Sequence, residues 1–456
     1  MNLYKTSNAL HGSLWDKILF FAIPLALTSL FQQLFNSADV AVVGRFSGNQ
    51  ALAAVGSTSP VVSIFINCLV GTSVGATVVI SHLIGEKNER EAGAALHAAM
   101  YLAVVFGVLL GALGFFISWP VLQLMGTPTE IFALADLYLK IYFLGIPFLT
   151  VYNFGAAVFR AGGDTKKPLI TLTISGVLNV ALNLFFVLVC GMSVDGVALA
   201  TVIANGLSAL LIVFFLHRER GYLHLAWNKL QWHRVLIVKM LKIGIPTGVQ
   251  GMVFSFSNMI IQSAINSLGS VAIAASAVSL NFEIWVYHVL SSFSQACTAF
   301  VGLNYGARKL KRCLRVVRWC LLEGVLASLF AGVFFALFRG PLVRIFTPDA
   351  VIAQWTYIRI FWIISFEFIS TIMDVFSGAL RGWGYSLLPA VVSIGGVCVL
   401  RIIYVYTFFS RYPDFSVLMA VYPLSWLITM LGIAAVYYYV KRRIIMQQMQ
   451  YNRERN

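Results

Sequence analysis

Apolar residues run along this chain in twelve long blocks, at about 17–42, 52–81, 92–118, 131–155, 168–190, 194–216, 240–265, 270–300, 316–338, 353–378, 387–409 and 416–440. Short polar stretches separate them. At about 1.5 Å of rise per residue each block is long enough to cross a hydrocarbon core about 30 Å thick. Backbone groups in lipid must find partners within their own segment, so each block predicts a helix. The pattern predicts an all-α membrane protein of twelve transmembrane helices.

Composition agrees. Hydrophobic residues make up 59% of the 456 residues and charged residues only 11%, against about a quarter charged in ordinary soluble domains. The net charge of +15 raises the question of nucleic acid, and the positions of the charges answer it. Of 32 Lys and Arg, 25 fall on one alternating set of loops and ends, including both termini. Such a bias places both termini and the basic loops in the cytoplasm of a cell-membrane protein. A nucleic-acid surface would need one basic face with interleaved aromatics, and the sequence has none. The six cysteines form no C-x-x-C pair and read as small buried apolar residues. The first block is too long for a signal-peptide core.

The chain also repeats itself. Ala22-Ile23-Pro24 returns as Gly244-Ile245-Pro246, Asn36 as Asn258, and Gly85 as Gly306, at offsets of 221–222. Arg160-x-x-Gly163-x-x-x-x-Pro168 returns as Arg381-x-x-Gly384-x-x-x-x-Pro389, 221 residues later. The expected organisation is an amino-terminal six-helix lobe (1–216), a polar cytoplasmic linker (217–239) and a carboxy-terminal six-helix lobe with a basic tail (240–456). An even number of helices per half makes the repeat parallel and the bundles pseudo-symmetric, a transporter architecture. Pro24 and Pro246 are candidate hinges, since each removes a hydrogen bond from its helix. Gly71, Gly75, Gly107, Gly111 and Gly114 carry small-x-x-x-small spacings that predict close helix packing. Arg160 and Arg381 are expected to tie cytoplasmic loops together.

Three stretches, in order, carry a family resemblance. They are Phe35-Asn36-x-x-Asp39-x-x-x-x-Gly44-x-x-x-Gly48, then Phe159-Arg160-Ala161-Gly162-Gly163-Asp164 with its echo at Leu380-Arg381-Gly382, then Asp195-Gly196-Val197-Ala198-Leu199-Ala200-Thr201. Over about 14–440 the chain resembles the multidrug and toxic compound extrusion (MATE) family. The resemblance implies a V-shaped pair of six-helix bundles that expels organic, often cationic, compounds against inward flow of H+ or Na+. No other cofactor is implied, and the expected partners are small organic cations and the lipid bilayer, with the protein acting as a monomer.

Candidate site residues follow from the cost of charge in lipid. Asp39 stands 22 residues past Lys17, roughly 33 Å along a helix, in a first helix that can run on to Gly44. It matches the family's amino-lobe acid, which resembles a proton or cation site. Asn179 and Asn183 share a helix face one turn apart. The family often has Asp at the second position, and Asn183 coordinates but cannot titrate. Asn36 is a further member of this ion-coupling set. In the carboxy half Glu283, Glu367 and Asp374 are candidate substrate or ion residues, with ion pairing to Arg359 or Arg401 as the competing reading. The helix-seven acid of some family branches is replaced by Phe254. Gln32, Gln33, Phe256, Gln262, Trp285 and Tyr287 are candidate cavity residues, supplying adaptable contact and cation–π attraction. His82, His97, His217, His224, His233 and His288 show no metal-ligand spacing. Gly162-Gly163-Asp164-Thr165-Lys166-Lys167 lacks the spacing of a phosphate-binding loop. No catalytic arrangement is present, so the chain does not read as an enzyme. The alternative is a lipid-linked oligosaccharide or peptidoglycan-precursor flippase, whose cavity should be basic to hold a pyrophosphate.

Overall fold

The computed structural model describes residues 10–455, and among these there is no strand. The helices are α1 (Trp15–Phe46), α2 (Gly48–Gly85), α3 (Glu89–Leu124), α4 (Thr129–Leu144), α5 (Ile146–Ala161), α6 (Lys166–Leu184) and α7 (Val194–Arg218) in the first half. The second half carries α8 (Arg234–Ser267), α9 (Ser270–Gly306), α10 (Leu310–Arg344), α11 (Ala350–Ile364), α12 (Glu367–Gly382), α13 (Leu387–Ser393), α14 (Leu400–Tyr404) and α15 (Phe415–Arg455). Eleven helical stretches among the described residues are long and apolar enough to cross a membrane, and α4 with α5 forms one more span bent by 45°. This gives the twelve crossings that the apolar blocks predict. The α4–α5 bend falls at Gly145, with Pro147 in the first turn of α5, where a missing N–H costs the helix least.

By packing, the described chain divides into two units. One comprises 27–248; the other comprises 10–26 together with 249–455. The helix α1 passes from the second unit to the first after Ala26, and α8 passes from the first to the second after Gly248. Each changeover lies two residues beyond a proline inside its helix, Pro24 or Pro246.

The small residues do what their spacing predicts. Within the first unit a side chain at Gly75 would meet Met240 O at 2.0 Å, and one at Gly244 would meet Thr72 O at 2.3 Å. Backbone thus lies against backbone where α2 meets the start of α8. Gly107, Gly111 and Gly114 pack against the end of α4 and the start of α5, at Phe143, Pro147 and Thr150. The repeated Arg-x-x-Gly motif is a helix stop. Gly163 (φ +80°) donates to Arg160 O at 3.0 Å, and Gly384 (φ +87°) donates to Arg381 O at 2.8 Å. Glycine occupies this left-handed position at little cost. Arg381 Nε donates to Ser377 O of its own helix at 3.2 Å. His97 of α3 holds the linker, its Nε2 accepting the Ala226 amide at 3.0 Å.

Candidate functional site

Three helices of the first unit bring a buried carboxylate together with neutral partners. Asp39 comes from α1, Asn179 and Asn183 from one face of α6, and Thr201 from the start of α7. Asp39 is 6% exposed and Asn183 fully buried. Asn183 Nδ2 donates to Asp39 Oδ1 and also lies 3.3 Å from Asn179 Oδ1. The Thr201 hydroxyl is 3.2 Å from Asp39 Oδ2, and it accepts from Asn179 Nδ2 at 3.3 Å. Asn183 Oδ1 is buried and receives no hydrogen bond from the described residues. None of the ion pairs among them involves Asp39.

A cavity of about 60 Å³ opens beside this cluster, lined by Gln32, Asn36, Asp39, Asn179, Thr201 and Ser208 among others. A water needs about 10–15 Å³ measured this way, so an ion with part of its hydration shell fits. A carboxylate out of water is costly unless it is compensated. Amide and hydroxyl donors hold its geometry and leave its charge in place. One proton or one small monovalent cation would neutralise it. Asn36 lines the cavity at an exposed position and makes no hydrogen bond to Asp39 in the structure; Gln33 lies outside the lining.

The second unit answers differently at the corresponding positions. At the repeat offsets of 221–222, Asp39 maps to Ile260 or Ile261, and Asn179 to Leu400 or Arg401. Arg401 is 4% exposed, and its guanidinium stands 4.4 Å from the centre of the Tyr422 ring. It donates to Ser425 Oγ at 3.0 Å and lies 3.5 Å from Asn258 Oδ1. The second unit therefore has no acid at the position of Asp39 and carries a buried base, Arg401, at or beside that of Asn179.

Glu283 is bound by Arg359, Nε to Oε1 at 2.7 Å and Nη2 to Oε2 at 3.0 Å, with Ser279 donating at 2.6 Å. Both carboxylate oxygens are thus engaged. Glu367 is buried at the first residue of α12, and Asp374 is half-buried two turns along. Gln262 donates to Asn266 on its own helix at 2.9 Å. Phe256, Trp285 and Tyr287 are exposed.

Two residues went unmarked as site residues in the sequence. Thr201 appears there only as the end of a motif. Glu323 lies within α10 with both carboxylate oxygens shielded and accepting no hydrogen bond from the described residues. An acid inside an apolar block was the signal available for it. Among the described residues no group of His, Cys, Asp and Glu is placed to hold a metal ion.

Comparison with known proteins gives this arrangement its context. A family model described as MatE matches twice, over residues 24–185 and 246–407. Its two matches repeat the internal offset of 222. The chain is similar to the probable multidrug resistance protein YoeA of Bacillus subtilis, 27% identical over 452 residues covering 94% of this chain and 95% of that protein. It is similar also to the probable multidrug resistance protein NorM of Thermotoga maritima, 27% identical over 398 residues and covering 85% and 84% of the two chains. A solved structure of a multidrug resistance MATE family transporter in an outward-facing conformation shares the fold, with a TM-score of 0.87 at 21% identity, covering 98% and 99%. With the family model matched in both halves, the chain belongs to the MATE family: it is a multi-pass membrane transporter and not an enzyme.

Proposed function

We propose that this transporter exports small, often cationic organic compounds by alternating-access antiport, driven by inward flow of H+ or Na+ bound at Asp39. The observation that carries the reading is a buried carboxylate held only by neutral donors beside a small cavity. Similar proteins named as multidrug resistance or multidrug export proteins support the substrate class. Asn179, Asn183 and Thr201 set the carboxylate's position, and Asn36 faces the same cavity. Glu367 and Asp374, with the exposed aromatics Phe256, Trp285 and Tyr287, are assigned to cargo contact in the second unit. Pro24 and Pro246 are assigned as hinges. The protein acts as a monomer in the cell membrane with both termini in the cytoplasm.

The test is ethidium efflux from reconstituted vesicles, with proton and sodium gradients imposed separately. Efflux driven by one gradient and abolished in Asp39→Asn supports the reading. Efflux that survives the substitution moves coupling elsewhere, and no efflux under either gradient opposes it. A flippase of lipid-linked precursors is the second reading, favoured by the buried Arg401. That guanidinium already has Tyr422, Ser425 and Asn258 as neighbours, which weakens it as a pyrophosphate site.

A further inference from the structure

In the second unit a cavity of about 730 Å³ lies between the turn before α1, the start of α10 and the end of α15. Five cations line it: Arg308, Lys309, Lys311, Arg312 and Arg315. Among the described residues no acidic side chain does. The wall is built, not incidental. Arg312, 6% exposed, donates to His11 O at 3.0 Å and Gly12 O at 2.9 Å, and Lys309 donates to Leu10 O at 3.0 Å. Gln448 of α15 closes another side, donating to Arg308 O at 3.2 Å.

Basic loops set topology, so the equivalent loop of the other half is the control. The backbones match. Lys87 and Arg308 both take positive φ, at 59° and 55°. The bonds Lys87 N to Ile84 O and Asn88 N to Leu83 O recur as Arg308 N to Tyr305 O and Lys309 N to Asn304 O, all displaced by 221 residues. The chemistry does not match. Glu86, Glu89 and Glu91 of the first loop become Ala307, Leu310 and Arg312, and the capping Asn88 becomes Lys309. Lys87 and Arg90 suffice for topology in the first half, so the removal of three acids needs another cause. The first turn of α10 also has no acid, and cations there oppose the helix dipole unless an anion joins them.

One face of α10 says which anion. Lys311, Arg315 and Arg318 follow each other at helical spacing, and Leu322, Leu326 and Leu329 continue the same exposed stripe. A ligand along this face meets cations at its head and apolar side chains along its tail. We infer that this cavity binds the phosphate headgroup of an anionic phospholipid, with the acyl chains lying along α10. Under the proposed topology the lipid belongs to the inner leaflet. It bridges Lys311 and Arg315 and clamps the turn before α1 to the final helix.

The test uses the full chain in neutral detergent, titrated with phosphatidylglycerol, phosphatidylcholine or glycerol 3-phosphate and read by native mass spectrometry. Phosphatidylglycerol is expected to stay bound where the other two do not. Each cation removed should weaken it about 5-fold, so Arg315→Gln loses about 5-fold and Lys311→Gln with Arg315→Gln about 25-fold. The control pair Lys87→Gln with Arg90→Gln should leave binding unchanged. Unaltered binding in the first pair, or equal loss in the control pair, overturns the site. Glycerol 3-phosphate binding as tightly as the lipid overturns the lipid occupant in favour of a soluble phosphate compound. Detergent has no leaflets, so an error in the proposed topology would leave these results intact. It would show instead as labelling of Lys311→Cys from outside intact cells.

Discussion

The hydroxyl of Thr201 stands 3.2 Å from Oδ2 of Asp39, across 162 residues of sequence. Its own helix offers a competing acceptor, Val197 O at 3.0 Å, and Asn179 donates to it from the side. Thr201 therefore positions the carboxylate without adding charge. Thr201→Val should lower the proton concentration needed for half-maximal proton-driven efflux about 10-fold, because losing a donor worth about 1.5 kcal/mol disfavours the ion-free carboxylate. Thr201→Ser should restore it. Efflux measured against ion concentration separates this from a loss of folding, which would lower the maximal rate in both variants.

The ion pair of Glu283 and Arg359 is expected to be structural. Removing one partner from a buried pair strands the other, at a cost of about 3–5 kcal/mol. Arg359→Gln alone should lower the thermal unfolding midpoint in detergent more than the double change with Glu283→Gln. The folded double variant should still transport. If it unfolds normally and has lost efflux, Glu283 returns as a cargo contact.

Close backbone packing makes Gly75 intolerant of any side chain. Met240 O would lie 2.0 Å from its Cβ, while a side chain at Gly206 would meet nothing within 4 Å. Gly75→Leu should abolish the monodisperse peak on size exclusion, and Gly206→Leu should keep it. Overpacking at such sites commonly costs about 1–3 kcal/mol, more where the obstacle is backbone.

How far the sequence could be read depended on the range of each signal. Spans are local, so unbroken apolar runs gave all twelve. Their ends were read short, 17–42 against Trp15–Phe46, because helices continue through polar ends that a hydropathy pattern excludes. The break at Gly145 was hidden because its flanks are equally apolar. Asp39, Asn179 and Asn183 were legible as rare polar groups in lipid, and the structure joins them. Thr201 was not, since a hydroxyl inside a helix ordinarily bonds its own backbone. Nor could spacing reveal that Arg359 selects Glu283, 76 residues away, while Arg401 settles over Tyr422. Those choices are made by tertiary packing.

The central claim is that Asp39 carries the coupling ion, and coupled flux tests it most directly. Vesicles would receive ethidium while proton movement is read by a trapped pH dye and sodium movement by tracer uptake, with Asp39→Asn alongside. The account predicts ethidium-dependent flux of one ion in the parent protein. In Asp39→Asn that flux should vanish while gradient-free ethidium exchange continues. Coupled flux undiminished in Asp39→Asn would contradict it.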